Sequence, residues 1–405
     1  MSRRVAITGV GAVTSIGTTA TETWTALCNG ESGADRIGRF DPDVADLRAQ
    51  IACEVDATLP DHGTDDRSTG RAADYALVAA REAIADAGFD PDEPDWVPER
   101  VGTSVACALG GVSECEDAAR ADRRPSPRFL LTYLPSLVSG HLSMAFDACG
   151  PARTQASACA AGAYALADAV DDVRTGRADV VLAGGAEAPI SPVGVGGFDA
   201  MRALSTRIDE PAAASRPFDA DRDGFVLGEG SGMLVLEAAS HARRRNAPID
   251  AWLSGTGLTA DAHHPTRPAD GGTGLRRSLE RALADAALSP DAIDGVLAHA
   301  TGTPAGDAAE ATALGDVFGD CPPTTSVKSQ LGHALGAAAA IEAVVATTSL
   351  ETGVLAPTIN YETPDPDCEL PVVTDPTDAA VGAIASTAAG FGGTNATLVF
   401  ESSES

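Results

Sequence analysis

The sequence predicts an α/β fold in which helices cover the faces of β-sheets. Two observations support this class: strand-like apolar runs alternate with helical patterns along all 405 residues, and glycines close most of the runs. This length allows two domain-sized units or one large duplicated unit. Apolar residues make up 44% and charged residues 21% of the chain, which is ordinary for a folded protein with a substantial core.

The first half alternates strands and helices in a regular order. Continuous apolar runs indicate buried strands, and apolar residues three or four apart indicate helices, as at 73, 77, 80 and 84. The elements predicted in this half are strands at 5–11, 101–106, 179–183 and 229–237, helices at 72–87 and 163–176, and a loop rich in Pro and Asp at 89–100.

The second half repeats this alternation without a strong sequence repeat. Its predicted elements are strands at 295–299, 325–328 and 396–401, a very apolar helix at 335–350, and a glycine-rich turn at 390–393. Each half therefore contains a strand end with reactive side chains that leads into a helix. In α/β folds, such ends are where functional sites are found.

The charge balance limits the partners of the protein. The net charge is -30, which disfavours nucleic acids and anionic membranes as partners. The N-terminus lacks the pattern of a signal peptide, and no apolar run approaches the roughly 18 residues of a membrane span. The sequence thus predicts a soluble cytoplasmic protein.

Eight cysteines are scattered without CxxC pairs, which argues against a zinc site or a disulfide framework, so no metal is expected. Cys159 stands out because small residues surround it at a predicted strand-to-helix corner. A thiol at a helix N-terminus is expected to have its pKa lowered from about 8.5 toward neutrality. A buried core cysteine is the alternative interpretation, and the small-residue corner favours a nucleophile without deciding the matter.

Two histidines and one lysine complete the candidate chemistry. His299 follows a predicted strand, and His333 precedes the apolar helix. Lys328 is the only lysine beside 27 arginines, five residues before His333. Arginine holds its proton and has a wide planar head, so it cannot replace a compact ammonium group. Chance survival of a single lysine is the alternative interpretation, and its place inside a candidate site favours a function over chance.

Several long motifs now occur together and in order. They are residues 157–162 (SACAAG), 181–187 (VLAGGAE), 203–207 (ALSTR), 216–225 (RPFDADRDGF), 299–307 (HATGTPAGD), 328–336 (KSQLGHALG) and 390–395 (GFGGTN). Over nearly the whole chain, this set resembles the elongating β-ketoacyl-[acyl-carrier-protein] synthases of the thiolase superfamily. The resemblance implies a thiolase-like fold, a five-layer α-β-α-β-α sandwich of duplicated halves at 1–248 and 249–405. The first half would carry the nucleophile, and the second would carry both histidines and the lysine.

The resemblance also implies the reaction and its residues. Cys159 would accept an acyl chain from the phosphopantetheine arm of an acyl-carrier protein, and the chain would then condense with malonyl-carrier protein after loss of carbon dioxide. No other cofactor is implied. His299 and His333 would stabilise the enolate, and the backbone N–H groups of Cys159 and Phe391 would form the oxyanion hole.

Supporting roles follow from the same resemblance. Lys328 would pair with Asp307 and Glu310 to order the histidines. Thr301 and Thr303 would bind the pantetheine arm. Carrier proteins are typically acidic, so docking on an acidic synthase would need a local basic patch. The candidates for this patch are Arg67, Arg71, Arg202 and Arg207.

Some positions depart from the family pattern. Ala300 and Gly302 stand in the His299 turn, Ser157 replaces a usual threonine, and Ala388 replaces a usual serine. Ala389 stands where the pattern has phenylalanine, which would open the acyl channel. These changes favour a longer, bulkier or unsaturated chain, as in type II polyketide or polyene synthesis. Housekeeping fatty-acid elongation is the alternative.

Two other kinds of protein share the superfamily. A degradative thiolase has a second cysteine near its C-terminus, whereas the last cysteine here, Cys368, is far from the 390–393 turn. A chain-length factor is a catalytically dead partner that commonly has glutamine at the nucleophile position, and this chain has Cys159. The active subunit would form a homodimer, or a heterodimer with a paralogue of the chain-length-factor type.

Overall fold

The computed structural model of the chain describes residues 3–43, 46–64, 69–121, 124–378 and 381–403. The strands are β1 (Val5–Val13), β2 (Ala34–Arg36), β3 (Ile51–Cys53), β4 (Val101–Ala106), β5 (Ala152–Gln155), β6 (Val180–Glu187), β7 (Leu227–Gly228), β8 (Gly230–Ala238), β9 (Ala251–Ala260), β10 (Gly295–Leu297), β11 (Thr324–Thr325), β12 (Val354–Leu355), β13 (Thr377–Asp378), β14 (Ala383–Gly390) and β15 (Thr394–Ser402).

Helices separate most of these strands. The α-helices are α1 (Ala20–Cys28), α2 (Arg71–Asp86), α3 (Val112–Arg120), α4 (Phe129–Tyr133), α5 (Ser136–Ala145), α6 (Ala161–Arg174), α7 (Pro192–Ala200), α8 (Ala239–Arg244), α9 (Thr273–Ala286), α10 (Pro304–Phe318), α11 (Lys328–Leu331) and α12 (Ala338–Thr352). Short 3-10 turns occupy Pro98–Arg100, Ala158–Ala160, Pro211–Ala213, Asp270–Gly272, Pro290–Ala292 and Leu335–Ala337.

The main sheet shows an internal duplication. The first half contributes strands in the order β5-β4-β6-β8-β1, and the second half contributes β11-β10-β14-β15-β9 in the corresponding order. In each half the first three strands run parallel, and the last two join them by antiparallel pairing. The halves meet where β1 pairs with β9. The duplication is therefore visible in topology although the sequence shows no strong repeat.

Five layers follow from the packing of the helices. Helices α6 and α12 contact each other and lie between the strands of the two halves. Helices α2 and α5 cover the outer face of the first half, and α9 covers that of the second, with α10 beside it. The predicted five-layer arrangement is confirmed. Central helix α12 is buried on nearly all sides, which explains why its sequence is mostly apolar and has no separate polar face.

Glycines allow the close approach that this central layer requires. A Cβ atom at Gly162 on α6 would lie 2.9 Å from the backbone nitrogen of Ala340 on α12. A Cβ atom at Gly232 on β8 would lie 2.5 Å from the carbonyl carbon of the same Ala340. Side chains at these positions would push the helices apart. The high alanine and glycine content of the chain follows from this packing.

Most predicted elements are confirmed, with shifts of a few residues at their ends. The clearest difference concerns residues 325–328, predicted as a strand end: β11 stops at Thr325, and Lys328 begins the short helix α11. The division predicted at 248/249 falls between α8 and β9, and this boundary stays a prediction. In the described part of the chain, no helix combines the length and apolar character needed to cross a membrane.

Candidate active site

Cys159 lies at a sharp corner between β5 and α6. It occupies the 3-10 turn Ala158–Ala160, directly before the first residue of α6. Ala158 has a φ of 50°, in the left-handed region that non-glycine residues rarely adopt. A small alanine tolerates this conformation better than a bulky or β-branched residue would. The predicted small-residue corner at the start of a helix is present.

The environment of the thiol differs from the sequence expectation. Burial raises the pKa of Cys159 to about 12, and the carboxylate of Glu187 contributes in the same direction. The Lys328 ammonium and the backbone N–H groups of Phe391 and Cys159 act to lower it, but they do not outweigh burial. The expected lowering of the Cys159 pKa toward neutrality was wrong, because desolvation of the thiolate raises the pKa by more than the helix N-terminus lowers it.

His299 and His333 lie side by side next to this thiol. Their ring centroids are 5.3 Å apart with the planes at 87°. Burial lowers the pKa of both imidazoles well below the usual value, and the nearby Lys328 charge lowers them further. Both rings are therefore neutral near pH 7 and able to donate an N–H without carrying a charge.

The backbone and an aromatic contact fix the position of His333. Its N–H donates to the carbonyl of Val226 at 2.7 Å, and its own carbonyl accepts from the N–H of Gly228 at 2.9 Å. The ring of Phe225 packs edge-on against the imidazole, with centroids 5.3 Å apart. The 226–228 segment of the first half thus holds a catalytic candidate of the second half.

The ion pair of Lys328 corrects a prediction. The ammonium group forms its direct ion pair with Glu342 on α12, whereas Asp307 and Glu310 were expected as its partners. Both members of the pair are 2% exposed. Glu310 lies close enough for the Lys328 charge to lower its pKa, but forms no direct pair with it. Burial raises the pKa of Glu342, and the positive charge of Lys328 opposes this shift. A sequence signal was present: Glu342 is a lone acidic residue in an apolar helix segment, and a buried carboxylate needs a partner.

Glu310 and Asp307 instead hold the turn that follows His299. Glu310 accepts hydrogen bonds from the backbone N–H of His299 at 2.8 Å and of Ala300 at 2.7 Å. Asp307 accepts from the N–H of Thr301 at 3.1 Å and of Gly302 at 3.2 Å. Burial raises the pKa of both carboxyls, that of Asp307 to about 7. Their role in this structure is to fix backbone geometry.

One cavity of about 420 Å³ brings the candidate residues together. Its lining includes Cys159, His299, Thr301, Thr303, Asp307, Glu310, His333, Ala389, Phe391 and Arg202. The hydroxyls of Thr301 and Thr303 lie 3.1 Å apart on its wall. The ring of Phe391 is partly exposed at the same cavity and lies 6.4 Å from that of Phe198, measured between centroids. Lys328 is not part of this lining, but its charge lowers the pKa of the Cys159 thiol and of both imidazoles.

The four docking arginines have different surroundings. Arg67 lies outside the described residues. Arg71 donates to the Ser113 hydroxyl at 2.6 Å and forms an ion pair with the buried carboxylate of Glu229 at 3.5 Å. Its guanidinium therefore already has partners inside the protein. Arg207 is half-buried and donates to the carbonyl of Asp221 at 2.9 Å. Arg202 is exposed and lines the cavity.

The fold is that of a thiolase-like enzyme, and its cavity combines one cysteine thiol with two histidines. Two family models match the chain: the "Beta-ketoacyl synthase, N-terminal domain" over residues 2–242 and the "Beta-ketoacyl synthase, C-terminal domain" over residues 251–362. The chain belongs to the β-ketoacyl synthase family and is an acyltransferase.

Relatives from two kinds of metabolism resemble the chain equally well. It is 39% identical to the 3-oxoacyl-[acyl-carrier-protein] synthase 2 of Coxiella burnetii, covering 98% of both chains. It is also 39% identical to the putative polyketide β-ketoacyl synthase 1 of Streptomyces halstedii, covering 100% of this chain and 99% of that protein.

Solved structures confirm the fold over nearly the full length. The ishigamide ketosynthase/chain length factor matches with a TM-score of 0.91 at 36% identity, covering 99% of this chain and 100% of that one. A type II PKS acyl-carrier protein complex with its ketosynthase, bound to the hexaketide, matches with a TM-score of 0.91 at 32% identity, covering 99% and 100%. A β-ketoacyl synthase from Burkholderia phymatum matches with a TM-score of 0.92 at 34% identity, covering 99% of each chain.

Proposed function

We propose that the protein catalyses decarboxylative Claisen condensation between an acyl chain on Cys159 and a malonyl group on an acyl-carrier protein. The observation that carries this proposal is the meeting of one thiol and two neutral imidazoles in a single cavity. Neutral N–H donors suit an enolate, because each N–H can hydrogen-bond to the enolate oxygen and stabilise the negative charge that develops there. The product is a 3-oxoacyl-carrier protein, and the partner is the carrier with its phosphopantetheine arm.

The first step is transfer of the acyl chain to Cys159. The thiol attacks the thioester carbonyl, the bond to the carrier sulfur breaks, and the thiol proton ends on the departing carrier sulfur. The N–H groups of Phe391 and Cys159, which already face the sulfur, supply donors for the oxyanion that forms. Because the resting thiol is protonated, loading depends on these donors and on an aligned thioester.

The second step is formation of the carbon–carbon bond. The malonyl group loses carbon dioxide, and its electron pair becomes an enolate whose oxygen accepts from His299 and His333. The enolate carbon attacks the Cys159 thioester, and the cysteine sulfur leaves as a thiolate and takes a proton from solvent water. The buried pair Lys328–Glu342 holds the charge next to the histidines in one place without reacting.

The acyl chain is proposed to be of the polyketide or polyene kind. Equal identity to a fatty-acid synthase and a polyketide synthase does not separate the pathways. Ala389 does favour one of them, because it lines the cavity with a single methyl group and leaves room for a longer, bulkier or unsaturated chain. Housekeeping elongation is the second candidate. Two of the similar solved structures are a ketosynthase/chain length factor and a ketosynthase in complex with its acyl-carrier protein.

Mass spectrometry of the intact enzyme tests the proposal. The enzyme is incubated with a polyunsaturated or a saturated acyl-carrier protein and then with malonyl-carrier protein. The proposal expects an acyl adduct on Cys159, then a carrier product two carbons longer, with the unsaturated donor preferred. An adduct that persists in Cys159→Ala would overturn the assignment. Preference for the saturated donor would favour elongation, and activity only after addition of a paralogue would show an obligate heterodimer.

A further inference from the structure

The loop between β9 and the 3-10 turn Asp270–Gly272 forms one side of the cavity mouth. Residues 264–268 all line the cavity, and none of them has a role in the reaction proposed above. The N–H of Gly392 donates to the carbonyl of Pro265 at 2.6 Å, and the N–H of Asp261 donates to the carbonyl of Gly393 at 2.8 Å. These bonds tie the loop to the turn that carries Phe391, so its side chains have a defined place beside the reacting centre.

His264 has a defined orientation in this loop. Its Nδ1 accepts hydrogen bonds from the backbone N–H of Thr266 at 3.1 Å and of Arg267 at 3.2 Å. A neutral imidazole whose Nδ1 accepts must carry its proton on Nε2. No described residue bonds to this Nε2. His264 therefore presents a donor at the cavity mouth, preset by the loop backbone.

Arg267 adds a positive charge at the same mouth. Its side chain is exposed, and its guanidinium forms no ion pair or hydrogen bond with the described residues. Two carboxylates that also line the cavity have other partners: Asp261 accepts from Asn395 Nδ2 at 2.8 Å, and Asp223 accepts from the Ser205 hydroxyl at 2.6 Å. Arg202 is the other exposed arginine in the lining of this cavity, so the lining carries local positive charge in a chain whose net charge is -30.

We propose that Arg267 and His264 form a phosphate subsite at the cavity mouth, which binds the phosphodiester of the phosphopantetheine arm. This inference rests on the proposed function, since that function brings such an arm into the cavity. The planar guanidinium offers paired N–H donors that match phosphate oxygens, and the Nε2–H of His264 supplies another. The subsite also gives the acidic protein a local attraction for the arm.

Three acyl donors with the same acyl group and thioester test the subsite. They are acyl-pantetheine, which lacks phosphate, acyl-phosphopantetheine, which carries it, and the acyl-carrier protein. For the wild-type enzyme, kcat/KM for loading should be about tenfold higher with the phosphorylated small donor than with acyl-pantetheine, as expected for a charge-assisted contact. In Arg267→Gln this ratio should fall toward one. Arg128→Gln, which removes an exposed arginine outside the cavity, should keep the wild-type ratio.

Competition provides a second measurement. Free phosphopantetheine should protect Cys159 from iodoacetamide at lower concentration than pantetheine does, and Arg267→Gln should abolish this difference. A wild-type donor ratio near one, or a ratio unchanged by Arg267→Gln, would overturn the subsite while leaving the condensation proposal intact. If no donor loads the wild-type enzyme, the proposed function itself has failed, so the two failures are distinguishable.

Discussion

The ion pair between Lys328 and Glu342 allows a prediction of stability from burial alone. Replacing Glu342 by glutamine keeps the shape of the side chain but removes the negative charge. The Lys328 ammonium, 2% exposed, would then be buried without its counterion. Breaking a buried pair in this way typically costs about 3–5 kcal/mol of unfolding free energy. At roughly 2 °C per kcal/mol for a large chain, Tm should fall by about 6–10 °C.

A double variant separates lost charge balance from general damage. Lys328→Met removes the ammonium, so Lys328→Met combined with Glu342→Gln leaves no unpaired charge and should recover at least half of the lost Tm. Glu187→Gln is the matched control, because Glu187 is also fully buried but bonds to the backbone of Ala108 and Leu109. Lys328→Met should not rescue that control.

The assay is thermal unfolding followed by circular dichroism. All variants are compared at one protein concentration and one scan rate, because large and oligomeric proteins often unfold irreversibly. A Glu342→Gln protein as stable as the wild type would refute the reasoning. So would equal rescue of Glu187→Gln by Lys328→Met, since the recovery would then not depend on the Lys328–Glu342 pair.

Three further predictions concern reactivity and specificity. Because burial raises the pKa of Cys159 to about 12, its alkylation by iodoacetamide, followed by peptide mapping, should rise about tenfold per pH unit from pH 7 through 9; a plateau near 8.5 would contradict this. Ala389→Phe adds a ring to the cavity wall and should lower kcat/KM for long unsaturated donors about tenfold more than for short ones, whereas an equal loss would remove Ala389 as a specificity residue. Arg207→Glu should slow loading from carrier protein far more than from a small acyl thioester, and equal slowing with both would exclude docking through Arg207.

The fold was largely predictable because its signals are local. Buried parallel strands read as continuous apolar runs, and β4 was predicted with the bounds that the structure has. Helix α2 was shifted by one residue, as expected for ends set by weak capping. The end of β11 was misplaced because the Thr and Val residues before Lys328 favour a strand. The start of α11 is instead held by the other half of the chain, where the Ser215 hydroxyl donates to the Lys328 carbonyl at 2.7 Å.

The pKa of Cys159 and the ion-pair partner of Lys328 could not be predicted from the sequence, and the reason is the same for both. Both depend on how much water reaches a group and on which distant element packs against it. A helix N-terminus lowers a cysteine pKa only where it outweighs desolvation of the thiolate, and the packing around Cys159 makes desolvation the larger effect. Likewise, Lys328 and Glu342 are fourteen residues apart in sequence and meet only because α12 lies beneath the site.

From the sequence alone came the family resemblance, the order of the elements and the reactive side chains, since residue types and their spacing are properties of the chain. Tertiary structure alone decided which of these groups meet and what charge each carries. It made the imidazoles neutral, kept the thiol protonated, paired Lys328 with Glu342 and left Arg267 uncommitted. The physical reason is that hydration and charge pairing depend on neighbours far along the chain, brought together by the packing of the two halves.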